Sequence, residues 1–361
     1  MTRKIRVLIA DDSVVARGLL REMLEADGGF EIVAEARNGQ EAVELCQEIH
    51  PDLVTMDLLM PVMGGLDAIA AIMSRRAVPI LVVSAVADAR NAYAAVAMGA
   101  VEVVEKPRPF GPESSEFIAK AKLVAKVAVI THIRSYSVNS AKSDRLRDIP
   151  RTPLPAFMPL PPPPARVETG RVFALAASTG GPQALAHILS HLPATFPAPV
   201  LIAQHISDGF AQGMAQWLST LSPLPVRLAV SGDVIQPGIV YLSPSEQHLG
   251  VTSDQRLVLI DRRAGDVYRP SCDYLLTAVA GIYRRRTVGI ILSGMGSDGA
   301  KGMEQIAAAG GDTLAQDAET SVVYGMNRVA IDQGSVRHVL PLDAIAPAMI
   351  ERAMSERAAQ A

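Results

Sequence analysis

Short apolar runs recur along this chain, each followed by an amphipathic stretch, and that rhythm leaves few architectures open. Between Ile5 and about Thr131 the runs IRVLIA, EIVAEA, DLVTM, PILVVSA and VEVVE alternate with helical segments, the first of which opens at Ser13. Five strands alternating with five helices predict a doubly wound parallel sheet. After Gly170 the rhythm resumes. VFALAAS, PVLIAQH and VGIILSG read as strands, and helical stretches follow Pro182, Gly209, Ser271 and Gly299, so a second α/β domain is predicted. Between about 225 and 262 the pattern is strand-rich without long helices (VRLAV, IVYLS, LVLID), which predicts a hairpin-bearing insertion beside the main sheet. Residues 132 to 170 break the rhythm with Pro153, Pro155, Pro159 and the run Pro161 to Pro164. Such a segment cannot bury a core; as an extended polyproline spacer it could reach on the order of 100 Å. The predicted organisation is a domain over 1–131, a linker over 132–170 and a second domain over 171–361.

Composition removes several functional classes. No stretch approaches the roughly 18 consecutive apolar residues of a membrane span, so membrane insertion is not expected. The N-terminus runs from Met1-Thr2-Arg3-Lys4 straight into a strand-like segment with no hydrophobic signal core, which makes a cytoplasmic protein the expectation. The two cysteines, Cys46 and Cys272, fall in different predicted domains and suggest neither a disulfide framework nor a zinc site. Formal net charge is −3, with 14 basic against 18 acidic residues in 1–130 and 14 against 16 in 171–361. Neither half has the basic surplus of a nucleic-acid binder. The local exception, Arg284-Arg285-Arg286, follows an apolar helical pattern and reads first as cations at a helix C-terminus.

Polar residues gather at the ends of the predicted strands in the first domain. Asp11 and Asp12 close the first strand, Asp57 the third and Ser84 the fourth, and Lys106 follows the fifth. In a parallel sheet these ends meet at one edge. Three carboxylates packed there would repel one another without a divalent cation, and oxygen-only ligands select Mg²⁺. With the metal, Asp57 can attack a phosphoryl donor, while Ser84 and Lys106 are placed to contact the oxygens of the resulting acyl phosphate. Any one such aspartate could be a solvated helix cap; five converging positions argue for a site.

The segments ADDS, MDLLMPVMGGLD, VSA and EKP resemble the receiver family of two-component signalling over essentially all of 1–130. The resemblance implies a flavodoxin-like fold, with Asp57 as phosphoacceptor, Asp11, Asp12 and the carbonyl of Leu59 as further metal ligands, and Ser84 and Lys106 as the phosphate switch. Val103 stands where many receivers carry an aromatic switch residue.

The second domain delivers Ser178 from an apolar strand into the turn Thr179-Gly180-Gly181, just before a helix opened by Pro182. A glycine-rich strand-to-helix turn serves phosphate binding as readily as nucleophile presentation. Two further strands end at His205 and, within a second glycine-rich loop, at Asp298. A serine hydroxyl needs a neighbouring base, and the base needs a carboxylate to fix its tautomer; the chain supplies one of each. The order Ser, His, Asp and the absence of a G-x-S-x-G elbow exclude the ordinary lipase reading. Among rival histidines His187 and His191 fall on the helix after Ser178, His338 comes late, and His248, in the strand-rich insertion, is the second candidate base. Ser271 and Asp273 open a helix, so capping and support of the site are equally open to them.

The motifs ASTGGP, AQH, SCDYLLTAVA, LSGMGSDGA and QDAETSVVYGM resemble the catalytic domain of the chemotaxis methylesterases, the CheB family, over roughly 171–350. That resemblance implies a hydrolase with Ser178 as nucleophile, His205 as general base and Asp298 as its orienting carboxylate. It also implies backbone donors near Met295 as an oxyanion hole, Thr179 beside the reacting centre, and no cofactor for the esterase. The substrate would be methylated glutamate on cytoplasmic helices of methyl-accepting chemoreceptors, with glutamine deamidation as a second activity and a histidine kinase as phosphodonor. Ile206-Ser207 and Asn327 depart from residues common in the family. The rival reading is a non-catalytic response regulator whose second domain binds a phosphorylated ligand at the Ser178 turn. Two complete sites on one chain, separated by a spacer that carries no chemistry of its own, lead to the expectation that the unphosphorylated first domain covers the active-site edge of the second.

Overall fold

In a computed structural model, which describes residues 3–85, 89–107, 112–129, 170–263 and 265–360, both halves adopt parallel α/β folds. The first runs β1 (Ile5–Ala10), α1 (Val14–Ala26), β2 (Phe30–Ala36), α2 (Gly39–Ile49), β3 (Leu53–Met56), α3 (Gly65–Arg75), β4 (Ile80–Ser84), α4 (Ala89–Ala97), β5 (Glu102–Glu105) and α5 (Pro112–Val124). Its strands pair in parallel in the order β2-β1-β3-β4-β5. Apolar residues of α1 and α5 pack on one face, and those of α2, α3 and α4 on the other. Burial on both faces is why the central strands read as continuous apolar runs. Local chemistry sets the boundaries: Ser13 Oγ accepts the Ala16 N–H at 3.3 Å, and Asn38 Oδ1 accepts the Glu41 N–H at 2.9 Å while Glu41 answers with a bond from the Arg37 N–H. Both are helix N-caps that satisfy otherwise orphaned donors.

The second half contains β6 (Val172–Ala177), α6 (Gly181–Ser190), β7 (Val200–Gln204), α7 (Ala211–Leu221), β8 (Val226–Leu228), β9 (Val240–Leu242), β10 (Gln247–Val251) and β11 (Leu257–Asp261). It continues with α8 (Cys272–Tyr283), β12 (Thr287–Ile291), α9 (Ala300–Ala308), β13 (Asp312–Gln316), α10 (Met326–Asp332), β14 (His338–Leu340) and α11 (Leu342–Gln360). Seven of these strands form one parallel sheet, β14-β13-β12-β6-β7-β9-β8. The strand-rich insertion is therefore only in part a separate hairpin. β10 and β11 pair antiparallel on their own, whereas β8 and β9 extend the main sheet in parallel beside β7. Three-residue strands carry too few positions for their pairing partner to be read from periodicity. The three arginines 284–286 form a short 3-10 turn directly after α8, as expected of cations at a helix end. The predicted linker, 132–170, lies almost entirely outside the described residues.

The halves are in contact. Tyr93 of α4 stacks on Trp217 of α7 with ring centroids 5.7 Å apart, and one apolar cluster runs continuously from Tyr93, Ala100 and Val103 to Trp217 and Leu218. Gln183 Nε2 of α6 donates to the Ala100 carbonyl at 2.9 Å.

Candidate active site and phosphoacceptor site

Strand order alone brings the three residues of the second domain together. β12, β6 and β7 are neighbours at the centre of the sheet, and their C-terminal ends carry the loop to Asp298, Ser178 and His205 respectively. The ends are stitched across: the Ser178 N–H donates to Ser293 O at 3.0 Å and the His205 N–H to Ala177 O at 3.0 Å. Gln204 Nε2 reaches both the Ser178 carbonyl (2.8 Å) and the His205 carbonyl (2.9 Å), while Ser293 Oγ donates to Thr179 O at 2.7 Å. The glycines of the turn are sterically required. Gly180 sits at φ +78°, and a Cβ on Gly181 would come within 2.0 Å of Gln204 Oε1.

His205 Nε2 lies 2.7 Å from Asp298 Oδ2. Asp298, 2% exposed, also accepts from Ser271 Oγ (3.1 Å) and from the backbone N–H groups of Cys272 (2.6 Å) and Asp273 (2.9 Å), the first residues of α8. Burial alone would raise this carboxyl. The bonds from His205 and the helix terminus outweigh that and hold it below the usual carboxylate range. Ser271 therefore does both things open to it, capping α8 through the Tyr274 N–H and supporting Asp298, while Asp273 Oδ1 caps α9 by accepting from Gly299 and Gly302. Ser178 and His205 line one cavity of about 530 Å³ together with Thr179, Tyr268 and Met295. No hydrogen bond joins the Ser178 hydroxyl to His205 among the described residues; such bonds are commonly long before substrate enters. Gly294 packs so closely that a Cβ there would lie 2.7 Å from Ser178 Cβ, and the adjacent Met295 N–H makes no hydrogen bond among the described residues.

The rival histidines go elsewhere. His187 pairs with Asp343 at 3.0 Å and packs a tilted ring against His191, and His338 faces Asp312. His248 bonds to Asp266 and to the Ser271 N–H, not to Ser178. Cys272 Sγ is 3.6 Å from His205 Nε2, and the ligand atoms of His205, Cys272 and Asp298 lie within 4.8 Å of one another. Burial pushes this thiol well up and its Sγ donates to Ala203 O at 3.4 Å, so it behaves as a packing group, not a metal ligand. Asn327, a departure noted in the sequence, is fully buried and ties the chain before α10 to β13, donating to Gln316 O (2.9 Å) and Ser321 Oγ (2.8 Å).

At the first domain's sheet edge, the carboxylates of Asp11, Asp12 and Asp57 lie within 4.8 Å of one another. Lys106 Nζ is 2.9 Å from Asp57 Oδ2 and 2.8 Å from Asp11 Oδ2, the latter an ion pair without hydrogen-bond alignment. Burial pushes the Asp57 carboxyl up against the opposing pull of Lys106, with Asp11 adding repulsion. Ser84 Oγ is fully buried with no hydrogen-bond partner. An oxygen-only donor set short of positive charge, beside a hydroxyl lacking an acceptor, fits a hard divalent cation and a phosphoryl group.

The two sites are joined by an interface that sequence reading did not supply in detail. The far wall of the 530 Å³ cavity is built by the first domain: Val104 and Glu105 of β5 and Glu116 and Lys120 of α5 face Ser178 and His205. The carboxylate of Glu102, 5% exposed, is buried beside Thr179, and burial raises it above its ordinary value. Such contacts carry no signal in a single sequence, because they pair residues some 80 positions apart with no shared motif.

Comparison with known proteins agrees with this geometry. Residues 7–113 match the response regulator receiver domain model, and residues 173–349 match that of the CheB methylesterase. A Paramagnetospirillum magneticum protein named protein-glutamate methylesterase/protein-glutamine glutaminase 3 is 52% identical over 349 residues, 96% of each chain. A Myxococcus xanthus protein named protein-glutamate methylesterase/protein-glutamine glutaminase 4 is 43% identical over 346 residues, 95% of each. The crystal structure of the Thermotoga maritima CheB methylesterase catalytic domain covers 51% of this chain and 98% of that domain at 37% identity, with a TM-score of 0.50. With both halves matching these family models and relatives similar over nearly the whole chain, the chain belongs to the CheB family of receiver-bearing protein-glutamate methylesterases.

Proposed function

We propose that this chain demethylates glutamate methyl esters on chemoreceptor helices, deamidates glutamines at the same sites, and does so under control of phosphorylation at Asp57. The observation that carries the reading is the His205–Asp298 pair held at the strand end beside Ser178, beneath a wall contributed by the receiver. Ser178 Oγ attacks the γ-carbonyl carbon of the methylated side chain while His205 takes the hydroxyl proton. The tetrahedral oxyanion forms against backbone donors at the glycine-rich loop, for which the unengaged Met295 N–H is available, with Thr179 beside the reacting centre. Methanol leaves with the proton returned by His205, and water then hydrolyses the acyl-enzyme to glutamate. With glutamine the leaving group is ammonia. A non-catalytic, phosphate-binding output domain has no use for the His205–Asp298 pair, and the relatives are named as hydrolases.

In the receiver, Asp57 accepts the phosphoryl group from a histidine kinase, and Asp11, Asp12, Asp57 and the Leu59 carbonyl would hold Mg²⁺, which neutralises phosphoryl oxygens. Ser84 and Lys106 contact the acyl phosphate. Among the described residues no helix is long and apolar enough to cross a membrane, and we take the protein to work in the cytoplasm on receptor segments exposed there. The domain limits 1–131, 132–170 and 171–361 fit this division of labour. The unphosphorylated receiver withholds the site by occupying the cavity wall, and phosphorylation releases it. Methanol release from methylated receptors tests the reading: acetyl phosphate with Mg²⁺ should raise the rate of the full-length protein, and Ser178→Ala should abolish it. Turnover by Ser178→Ala would overturn the assignment.

A further inference from the structure

A second histidine–carboxylate pair lies beside the first, and the proposed chemistry does not use it. His248 of β10 is 5% exposed; its Nδ1 accepts the Ser271 N–H at 2.9 Å and its Nε2 lies 3.0 Å from Asp266 Oδ2. An Nδ1 that accepts carries no proton, so Nε2 is the donor and the ring is fixed in one tautomer. Asp266 opens the segment that continues through Val267 and Tyr268 to Arg269 along the cavity. That segment is tethered at its other end too, where the Arg269 carbonyl accepts the N–H of Ile206, the residue after His205, at 3.1 Å. Between the tethers Tyr268 lies flat on the His205 imidazole, with centroids 5.0 Å apart and planes 13° from parallel. The far edge of the phenol meets the glycine-rich loop, where a Cβ on Gly296 would come 2.9 Å from Tyr268 Oη.

We infer that Tyr268 is a positioning residue for the general base, and that the His248–Asp266 clasp exists to hold it there. The inference rests on the proposed role of His205. A ring held only at its Nε2, by Asp298 and the Cys272 Sγ contact, can still swing about that edge; a parallel aromatic face removes the freedom. The same face favours the ring once it has taken the serine proton, because a π-surface attracts a cation, and that attraction exists only after proton transfer has begun. His248 links both supports of His205: through Asp266 it fixes the Tyr268 segment, and through the Ser271 N–H it fixes the cap of α8, whose first N–H groups bond Asp298.

The test reads activation of Ser178 in the full-length protein, in the presence of acetyl phosphate and Mg²⁺, as the rate of labelling by a fluorophosphonate. Tyr268→Leu should slow labelling by roughly 3- to 30-fold, the range a cation–π contact supports. It should lower kcat for methylated receptor by a similar factor and leave KM within about twofold. Tyr268→Phe, which keeps the ring, should label within about twofold of wild type. His248→Ala should be at least as slow as Tyr268→Leu, because it also loosens the α8 cap behind Asp298, and the double variant no slower than His248→Ala, since the Tyr268 support is already lost there. Tyr268 is partly exposed, so its loss opens no buried cavity. Wild-type labelling by Tyr268→Leu, equal slowing by Phe and Leu, or multiplying effects in the double variant would each overturn the inference. The Ser178→Ala control keeps the two readings apart: labelling of that variant would mean that the serine assignment itself has failed.

Discussion

Asp298 concentrates more of the site's chemistry than any other side chain. Four donors converge on its carboxylate, two of them backbone N–H groups at the start of α8, so the anion holds the His205 ring and caps a helix at once. Asp298→Asn replaces one acceptor oxygen with an NH₂ that must face a donor, and kcat should fall on the order of 10³- to 10⁴-fold. The same carboxylate makes an acid-stability prediction. Its folded value is depressed, so its share of stability is complete above about pH 4, the unfolded value, and is lost as pH falls through the folded one. Denaturant titrations should therefore show wild type more stable than Asp298→Asn at pH 5, with the gap narrowing toward pH 2. A constant gap would mean that the carboxylate is not ionised in the native state. At this scale Ser178 and His205 were legible because each ends an apolar run, and Asp298 because it lies in the glycine-rich loop that follows one. Tyr268 was not, since nothing in the local sequence VYRP announces what its ring will face. His248, legible as a histidine, bonds to Asp266 and not to the serine, a distinction made only by the hairpin that carries it.

Elements differ in how they announce themselves. Runs of four to six apolar residues buried on both faces marked the central strands, and Ser13 marked a helix start that the structure bears out. VRLAV and IVYLS marked β8 and β9 as strands but not as members of the main sheet, and β14 was not marked at all, so the width of the second sheet was lost. β5 matters beyond its own sheet. Its first residue, Glu102, is buried against Thr179, and burial raises its carboxyl in the docked state; on separation it returns toward the ordinary glutamate range. A group raised in the docked state strengthens docking fully below the ordinary value, and that contribution disappears as pH climbs through the raised one. Glu102→Gln, uncharged throughout, should dock more tightly at neutral pH and show a severalfold lower basal esterase rate without phosphorylation. The pH dependence of that basal rate should flatten. An unchanged rate and profile would remove Glu102 from the interface account.

On the scale of the whole molecule, the receiver and the esterase share one apolar cluster and one cavity, so under the proposed function phosphorylation at Asp57 would act by changing a docking equilibrium. The chain's single tryptophan reports on it: Trp217 stacks on Tyr93 across the interface. Acetyl phosphate with Mg²⁺ should shift Trp217 emission in wild type and leave Asp57→Asn unchanged; emission that responds in both would detach the signal from Asp57. The two-domain plan was readable from the β/α rhythm and its proline-rich break, but the residues that meet between the domains were not, because complementarity of two surfaces leaves no period in either. The most direct measurement is methanol release from methylated receptors by the full-length protein, with and without acetyl phosphate and Mg²⁺, alongside Asp57→Asn and Ser178→Ala. The account predicts a low basal rate, strong activation in wild type, no activation in Asp57→Asn and no turnover in Ser178→Ala. A basal rate equal to the activated one, or turnover without Ser178, would contradict it.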